Sequence, residues 1–332
     1  MSNRTAPVLA GDIGGTKTRL ALFQKNGARL ECLAEQKYMS RAHESLGTII
    51  ADFIGRTGEQ PPAASFGIAG PVRNNHVATT NLPWNISATG LERRFHIDRV
   101  ALLNDLEATA WGIASLDAAD FHSLNRGATD AGGNAAIIAA GTGLGEAGLF
   151  YDGNVYRPFA TEGGHTDFSP GSSTEIALLQ FLQQQHKHVS WERIISGPGL
   201  VQIHAFLRDS RQQDIPDWLE QEQPDGDPAA AIANHAGVDP VCRESLQLFT
   251  RLYGREAGNL ALKTLATGGL YLGGGIAPKL LEQLDAGDFM EAFCAKGRMR
   301  PLLEGMPVKV ILNDRAALIG AARFAADIAL NA

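Results

Sequence analysis

The stretch Val8-Leu9-Ala10-Gly11-Asp12-Ile13-Gly14-Gly15-Thr16-Lys17-Thr18-Arg19-Leu20-Ala21-Leu22-Phe23 decides the fold. Val8 to Ala10 make a short apolar strand that runs into a glycine-rich turn. The turn lies one residue from a P-loop, with Thr16 where the second glycine should stand. A P-loop continues into a helix. Here Arg19, Ala21 and Phe23 alternate with Leu20 and Leu22, the two-residue period of a strand. The unit is strand–turn–strand, with glycines that let a phosphate approach the backbone and amides that can donate to it. Asp12 is the odd member, because a carboxylate repels phosphates unless a cation lies between. It implies Mg²⁺, held through water. A hairpin turn rich in Gly and Asp is the plain alternative.

A second strand, Asn134 to Ala140, runs into Gly141-Thr142-Gly143-Leu144-Gly145-Glu146-Ala147-Gly148. Gly143, Gly145 and Gly148 match the dinucleotide pattern, but Leu149 to Asn154 reads as strand and turn, so no helix follows to receive a pyrophosphate. Gly14-Gly15-Thr16 aligns with Gly141-Thr142-Gly143, and Leu22-Phe23 with Leu149-Phe150. The spacing is about that of one domain. Two such loops, one per domain, would grip a polyphosphate from both sides of a cleft.

Between the loops, the apolar run Val100 to Leu103 leads into Asn104-Asp105 and then a helix-forming segment. A carboxylate at the mouth of a strand sits where α/β proteins gather ligands. Asn and Asp equally serve as helix caps. Asn81, in an irregular loop, either contacts a sugar or braces the turn. Glu162 and His165 flank two glycines, and with only one His and no further ligand at a useful spacing they suit a polyhydroxyl ligand better than a metal. Ser172 to Glu175 is a capping box that opens a helix with Ile176, Leu179 and Leu182 inward. Glu192 reads as an exposed helix residue. Asp209 to Gly237, polar and interrupted by Pro216, Pro224 and Pro228, reads as a surface excursion. Gly273 to Gly275 lets an adenine lie against the backbone, or makes a tight strand-to-helix turn.

Composition narrows the class. The 332 residues allow two domains, and 44% hydrophobic with 20% charged residues is ordinary for a globular protein. A net charge of −7 argues against a nucleic-acid partner. Cys32, Cys242 and Cys294 lie far apart, which fits a reducing compartment and offers no zinc knuckle. No apolar run approaches the ~18 residues of a membrane span. The expectation is a soluble cytoplasmic protein with no membrane partner.

Six motifs in order, Gly11 to Arg19, Leu103-Asn104-Asp105, Gly141 to Gly145, Glu162-Gly163-Gly164-His165, Ser196-Gly197-Pro198-Gly199 and Gly273 to Ile276, resemble the bacterial glucokinase family. The resemblance covers essentially the whole chain. It implies a two-domain α/β fold of the actin-like ATPase (ribonuclease H-like) type with a substrate cleft. The implied small domain is 1–115 plus 314–332, and the large domain is 116–313. The implied ligands are glucose, ATP and Mg²⁺, and the implied assembly is a homodimer.

Residue by residue, Asp105 matches the family's catalytic base, and Asn104, Glu162, His165 and Glu192 match its sugar-binding positions. Gly11, Asp12, Ile13, Gly14, Gly15 and Thr16, with Thr142 and Gly143, match its phosphate loops. Asp12 is the metal-side member, and Gly274-Gly275 matches the adenosine segment. The Cys-rich zinc motif of the related repressor–kinase group is missing, and no helix-turn-helix precedes Val8. Two alternatives stay open: a kinase for mannose or N-acetylglucosamine, and a sugar-responsive regulator on the same scaffold.

Overall fold

The computed structural model describes residues 6–27, 29–79, 82–222 and 226–330, so the Asn81 reading lies outside the described residues. Two sheets share one plan. The first has the order β3 (Arg29–Met39), β2 (Lys17–Asn26), β1 (Val8–Ile13), β4 (Ala63–Ile68), β7 (Arg99–Asn104). The second has the order β11 (Tyr156–Thr161), β10 (Leu144–Tyr151), β9 (Ala135–Ala140), β12 (Gly269–Gly273), β13 (Val308–Ile311), with β8 (Phe121–Asn125) added at the far edge. β5 (His76–Ala78) and β6 (Asn85–Ser87) form a separate small hairpin. In each large sheet the strand before the glycine turn pairs antiparallel with the strand after it and parallel with the next: β1 with β2 and β4, β9 with β10 and β12. The short likeness between the two turns is thus part of a repeat of whole sheets.

The chain divides into two compact units, Met1–Asp120 with Tyr156–Ala160 and Asn313–Ala332, and Phe121–Val155 with Thr161–Leu312. In the first, the two-residue period of β1 sets two cores. Leu9 and Ile13 turn to one face, where α1 (Leu46–Thr57) supplies Ile49, Ile50 and Phe53 and α2 (Ala88–Phe95) supplies Leu91. Val8 and Ala10 turn to the other, against Leu318, Ala321, Ala322 and Ala325 of the C-terminal helix Ala316–Leu330. That helix crosses α3 (Asp105–Ile113) at backbone contact. A Cβ on Gly112 would overlap the Ala316 carbonyl, and one on Gly320 would overlap the Ala108 carbonyl.

In the second unit Ala136, Ile138 and Ala140 of β9 pack into a core built with the long helix Pro240–Thr264 and the helix Gly197–Ser210. The long helix starts where sequence logic allows, with Asp239 accepting from the amides of Val241 (2.7 Å) and Cys242 (3.2 Å) and Pro240 in its first turn.

Two local expectations fail. In the helix Ser173–Gln183 the buried residues are Glu175, Leu178 and Leu182, whereas Ile176 is exposed. Glu175 turns inward because its carboxylate accepts the Gly171 amide and pairs with Arg255 at 3.5 Å, so a charged residue hides the true inner face. The segment Asp209 to Gly237 is no mere excursion: it contains the helices Asp217–Glu222 and Pro228–His235, and Leu219, Ala231 and Ile232 are buried.

Gly320→Ala forces α3 and the C-terminal helix apart. We expect it to lower unfolding free energy by about 2–3 kcal/mol, as overpacked sites do. Urea unfolding at wild-type midpoint would show that the crossing tolerates a methyl group.

Candidate active site

Asp12 continues the Val8–Ala10 face of β1 towards the starts of α3 and the C-terminal helix. It is half-buried, and burial, then the charge of Asp105, push its pKa up to about 6, with Arg19 opposing and Asp314 adding to the rise. Arg19 stands opposite Asp12 in the β1–β2 hairpin and forms an ion pair with Asp314. That hydrogen bond holds the Asp314 carboxyl below its ordinary range. A carboxylate that is costly to ionise and faces a second one favours a divalent cation. The usual Mg²⁺ shell of one or two acids, water and phosphate oxygens fits these residues.

Asn104 ends β7 and caps α3, its Oδ1 accepting from the Leu106 amide at 3.0 Å while its Nδ2 donates to the Gly70 carbonyl at 3.2 Å. Asp105 is the first residue of α3, and its Oδ1 accepts from the same amide at 2.9 Å. The cap and the placed carboxylate are therefore one construction, at a helix end whose dipole favours negative charge. Gly67 of β4 seats α3 closely, since a Cβ there would come within 2.7 Å of the Ala108 methyl.

The turn from Gly11 to Thr16 is clamped by a residue that the sequence reading missed. Buried Ser40 donates its hydroxyl to the Gly14 carbonyl (2.8 Å) and its amide to the Thr16 carbonyl (2.9 Å). The same hydroxyl lies 3.0 Å from that of Thr18. Nothing in the sequence near Ser40 marks it, because its partners lie more than twenty residues away.

The second unit assembles its own group. His165 lies between two carboxylates, with Nε2 3.9 Å from Glu162 Oε2 and Nδ1 3.8 Å from Glu192 Oε1. Glu192 sits in a short 3₁₀ turn rather than an exposed helix, and its Oε2 accepts the Leu144 amide at 3.0 Å. Gly143 packs directly on that carboxylate, where a Cβ would collide. Glu192 thus ties the second glycine turn to the Glu162–His165 cluster.

Beside this turn lies a cavity of about 960 Å³. Thr142, Pro198, Gly275 and Lys279 line it, and Asp227 and Ala230 of the supposed excursion form part of its wall. Gly275 faces the cavity. Gly274, at φ +80°, lies against the Ala140 backbone, so its glycine serves a close chain approach.

A family model described as Glucokinase matches residues 9–328. The chain belongs to the glucokinase family. It is 43% identical to a glucokinase of Trichormus variabilis, over 97% of this chain and 99% of that one. It is 41% identical to one of Synechocystis, over 96% and 98%. A glucokinase crystal structure from an Antarctic psychrotroph superposes with a TM-score of 0.86 at 29% identity, covering 97% of this chain and 99% of that one. A ROK family glucokinase of Streptomyces griseus, solved with glucose and AMPPNP, shares the fold, with a TM-score of 0.65 at 23% identity over 97% and 100%. The duplicated sheets are the actin-like ATPase fold. Among the described residues no helix is long and apolar enough to cross a membrane.

The raised affinity of Asp12 for a proton gives a signed prediction. Its folded pKa of about 6 exceeds the ordinary 3.8, so the wild type loses stability as pH rises through that window. Without metal or nucleotide, Asp12→Asn should be more stable than wild type by about 1–2 kcal/mol above the window, and the gain should vanish below it. Thermal melts across pH measure this. A pH-independent difference would remove Asp12 as the group under strain.

Proposed function

We propose that this glucokinase-family chain transfers the γ-phosphoryl group of ATP to the 6-hydroxyl of glucose, with Asp105 as the general base. The observation that carries the reading is the placement of Asp105: a carboxylate at the start of α3, beside the capping amide of Asn104 and facing Asp12. Phosphoryl transfer has a loose transition state, so positioning and charge stabilisation provide most of the catalysis. Asp105 orients the sugar hydroxyl and accepts its proton as the new bond forms, a contribution of about 10²–10⁴-fold.

Glu162, His165 and Glu192 hold the other sugar hydroxyls, with Asn104 adding an amide. Their separations, close to 4 Å, leave the carboxylates free to accept from hydroxyl groups rather than locking them together. The backbone of Gly11 to Thr16 and of Thr142-Gly143 receives the phosphates, and the cavity beside Gly275 receives the adenosine. Asp12 would hold Mg²⁺ through water, and the bound ion would neutralise charge on the β- and γ-phosphates. The homodimer and the cytoplasmic setting belong to the same proposal, on the strength of the family resemblance, and sedimentation equilibrium tests the first.

Asp105→Asn should lower kcat by about 10³-fold or more while glucose affinity, read by calorimetry, changes less than about tenfold. Affinity falling in step with turnover would make Asp105 a binding group instead. Asp12→Ala should raise the Mg²⁺ concentration needed for half-maximal rate. An unchanged titration would remove Asp12 from the metal side. Comparing ADP release with glucose, mannose and N-acetylglucosamine measures how strictly the sugar is selected.

A further inference from the structure

Two acids in the core of the second unit have no part in the reaction described above. Glu146, on β10, is 2% exposed, and Glu256, on the long helix Pro240–Thr264, is fully buried. The two carboxyls are near enough for each to oppose the other's charge. Two carboxylates in contact inside a protein cannot both ionise, so the pair holds a proton. The surroundings say which member carries it. Glu256 accepts from Asn259 Nδ2 at 2.7 Å and from Lys263 Nζ at 3.3 Å, and both donors favour its charged form. Glu146 Oε1 finds no hydrogen-bond partner among the described residues.

The charged groups around the pair are few. Lys296 donates to Asn259 Oδ1 and to the Arg255 carbonyl (2.9 Å), while the Arg255 guanidinium is taken up by Glu175. The Tyr253 phenol, kept protonated above all by burial, donates to the Ile138 carbonyl at 3.3 Å. Burial first, and Glu256 second, raise the affinity of Glu146 for its proton.

The position of Glu146 gives this proton a consequence. A Cβ on Gly163 would overlap the Glu146 carboxyl, so that carboxyl is the floor on which the turn Glu162 to His165 rests. The attachment is doubled through the backbone. The Thr161 hydroxyl donates to the Glu146 carbonyl (2.9 Å) and accepts from the Gly163 amide (3.2 Å).

We propose that Glu146 is a positioning residue for sugar binding, kept protonated against Glu256 so that its neutral carboxyl supports the Gly163 turn and aims Glu162 and His165. The inference rests on the reading of those two residues as sugar ligands. When Glu146 loses its proton to solvent at alkaline pH, two like charges meet beneath the turn. The turn must then shift, and the sugar half of the site weakens. The first glycine turn and the cavity wall at Pro198, Ala230 and Gly275, built on other segments, are untouched.

The test is the pH dependence of glucose binding by calorimetry, together with KM for glucose and for ATP. It uses the whole wild-type protein and the variants Glu146→Gln, Glu146→Ala and Glu162→Gln. In the wild type, glucose affinity should fall about fivefold or more from neutral to about pH 9, with KM for ATP steady. Glu146→Gln keeps the shape and the donor and cannot ionise, so its glucose affinity should stay flat over the same range. Glu146→Ala should bind glucose about tenfold more weakly at every pH, again with KM for ATP unchanged.

A wild type without the alkaline fall, a Gln variant that keeps it, or an Ala variant that moves both KM values together would overturn the role of Glu146. Glu162→Gln separates the two levels. If it binds glucose as the wild type does, the sugar-site reading itself fails. If it binds weakly while the Glu146 variants behave as wild type, only the positioning role fails.

Discussion

The backbone contact between α3 and the C-terminal helix is the constraint on which the first unit depends. Two helices far apart in the sequence meet at Gly112 and Gly320, closer than any side chain would allow. Their closeness lets both lie on one face of the first sheet with Val8 and Ala10 beneath. It also brings their beginnings to the end of β1. Asp105, Asp314 and Asp12 therefore share one neighbourhood, an electrostatic cost that Arg19 only partly offsets. On the proposed reading a metal and a triphosphate bound here would reverse the cost, because the cation would separate charges that otherwise repel.

The second unit handles acidity differently. Glu162, exposed, and Glu192, half-buried, flank His165, and on the proposed reading they accept from hydroxyl groups. Behind them Glu146 and Glu256 sit in the core with one proton between them. In one unit a half-buried acid would, on the proposed reading, take a cation. In the other the acid that touches the binding turn is kept neutral. Both devices adjust charge by burial, and on the proposed reading they act on different substrates.

How much of this was legible depends on the distance over which a residue acts. The strand–turn–strand units were legible because the period after each turn is local, and β2 and β10 follow it. The candidate base was legible as a position at the mouth of a strand, although its capping partner made the same residues look merely structural. Ile176 misled because Glu175, turned inward by Gly171 and Arg255, broke the apolar stripe. The segment 209–237 misled because its prolines and charges mask the Ala-rich helix that lines the cavity. Ser40, Glu192 and Glu146 draw their meaning from partners far along the chain, which no local pattern records.

The C-terminal helix also orders the making of the protein. It leaves the ribosome after the other elements of the first unit, yet it covers Val8, Ala10, Ala21 and Phe23, which are made long before it. Until that helix emerges the nascent first sheet carries a bare apolar face, a surface on which holding chaperones act and neighbouring chains adhere. The unit ending at Leu312 can close before that face is covered. A stop ahead of Ala316 would thus leave the second unit folded beside a sticky, half-built first unit, a molecule for the proteolytic machinery rather than a weakened enzyme.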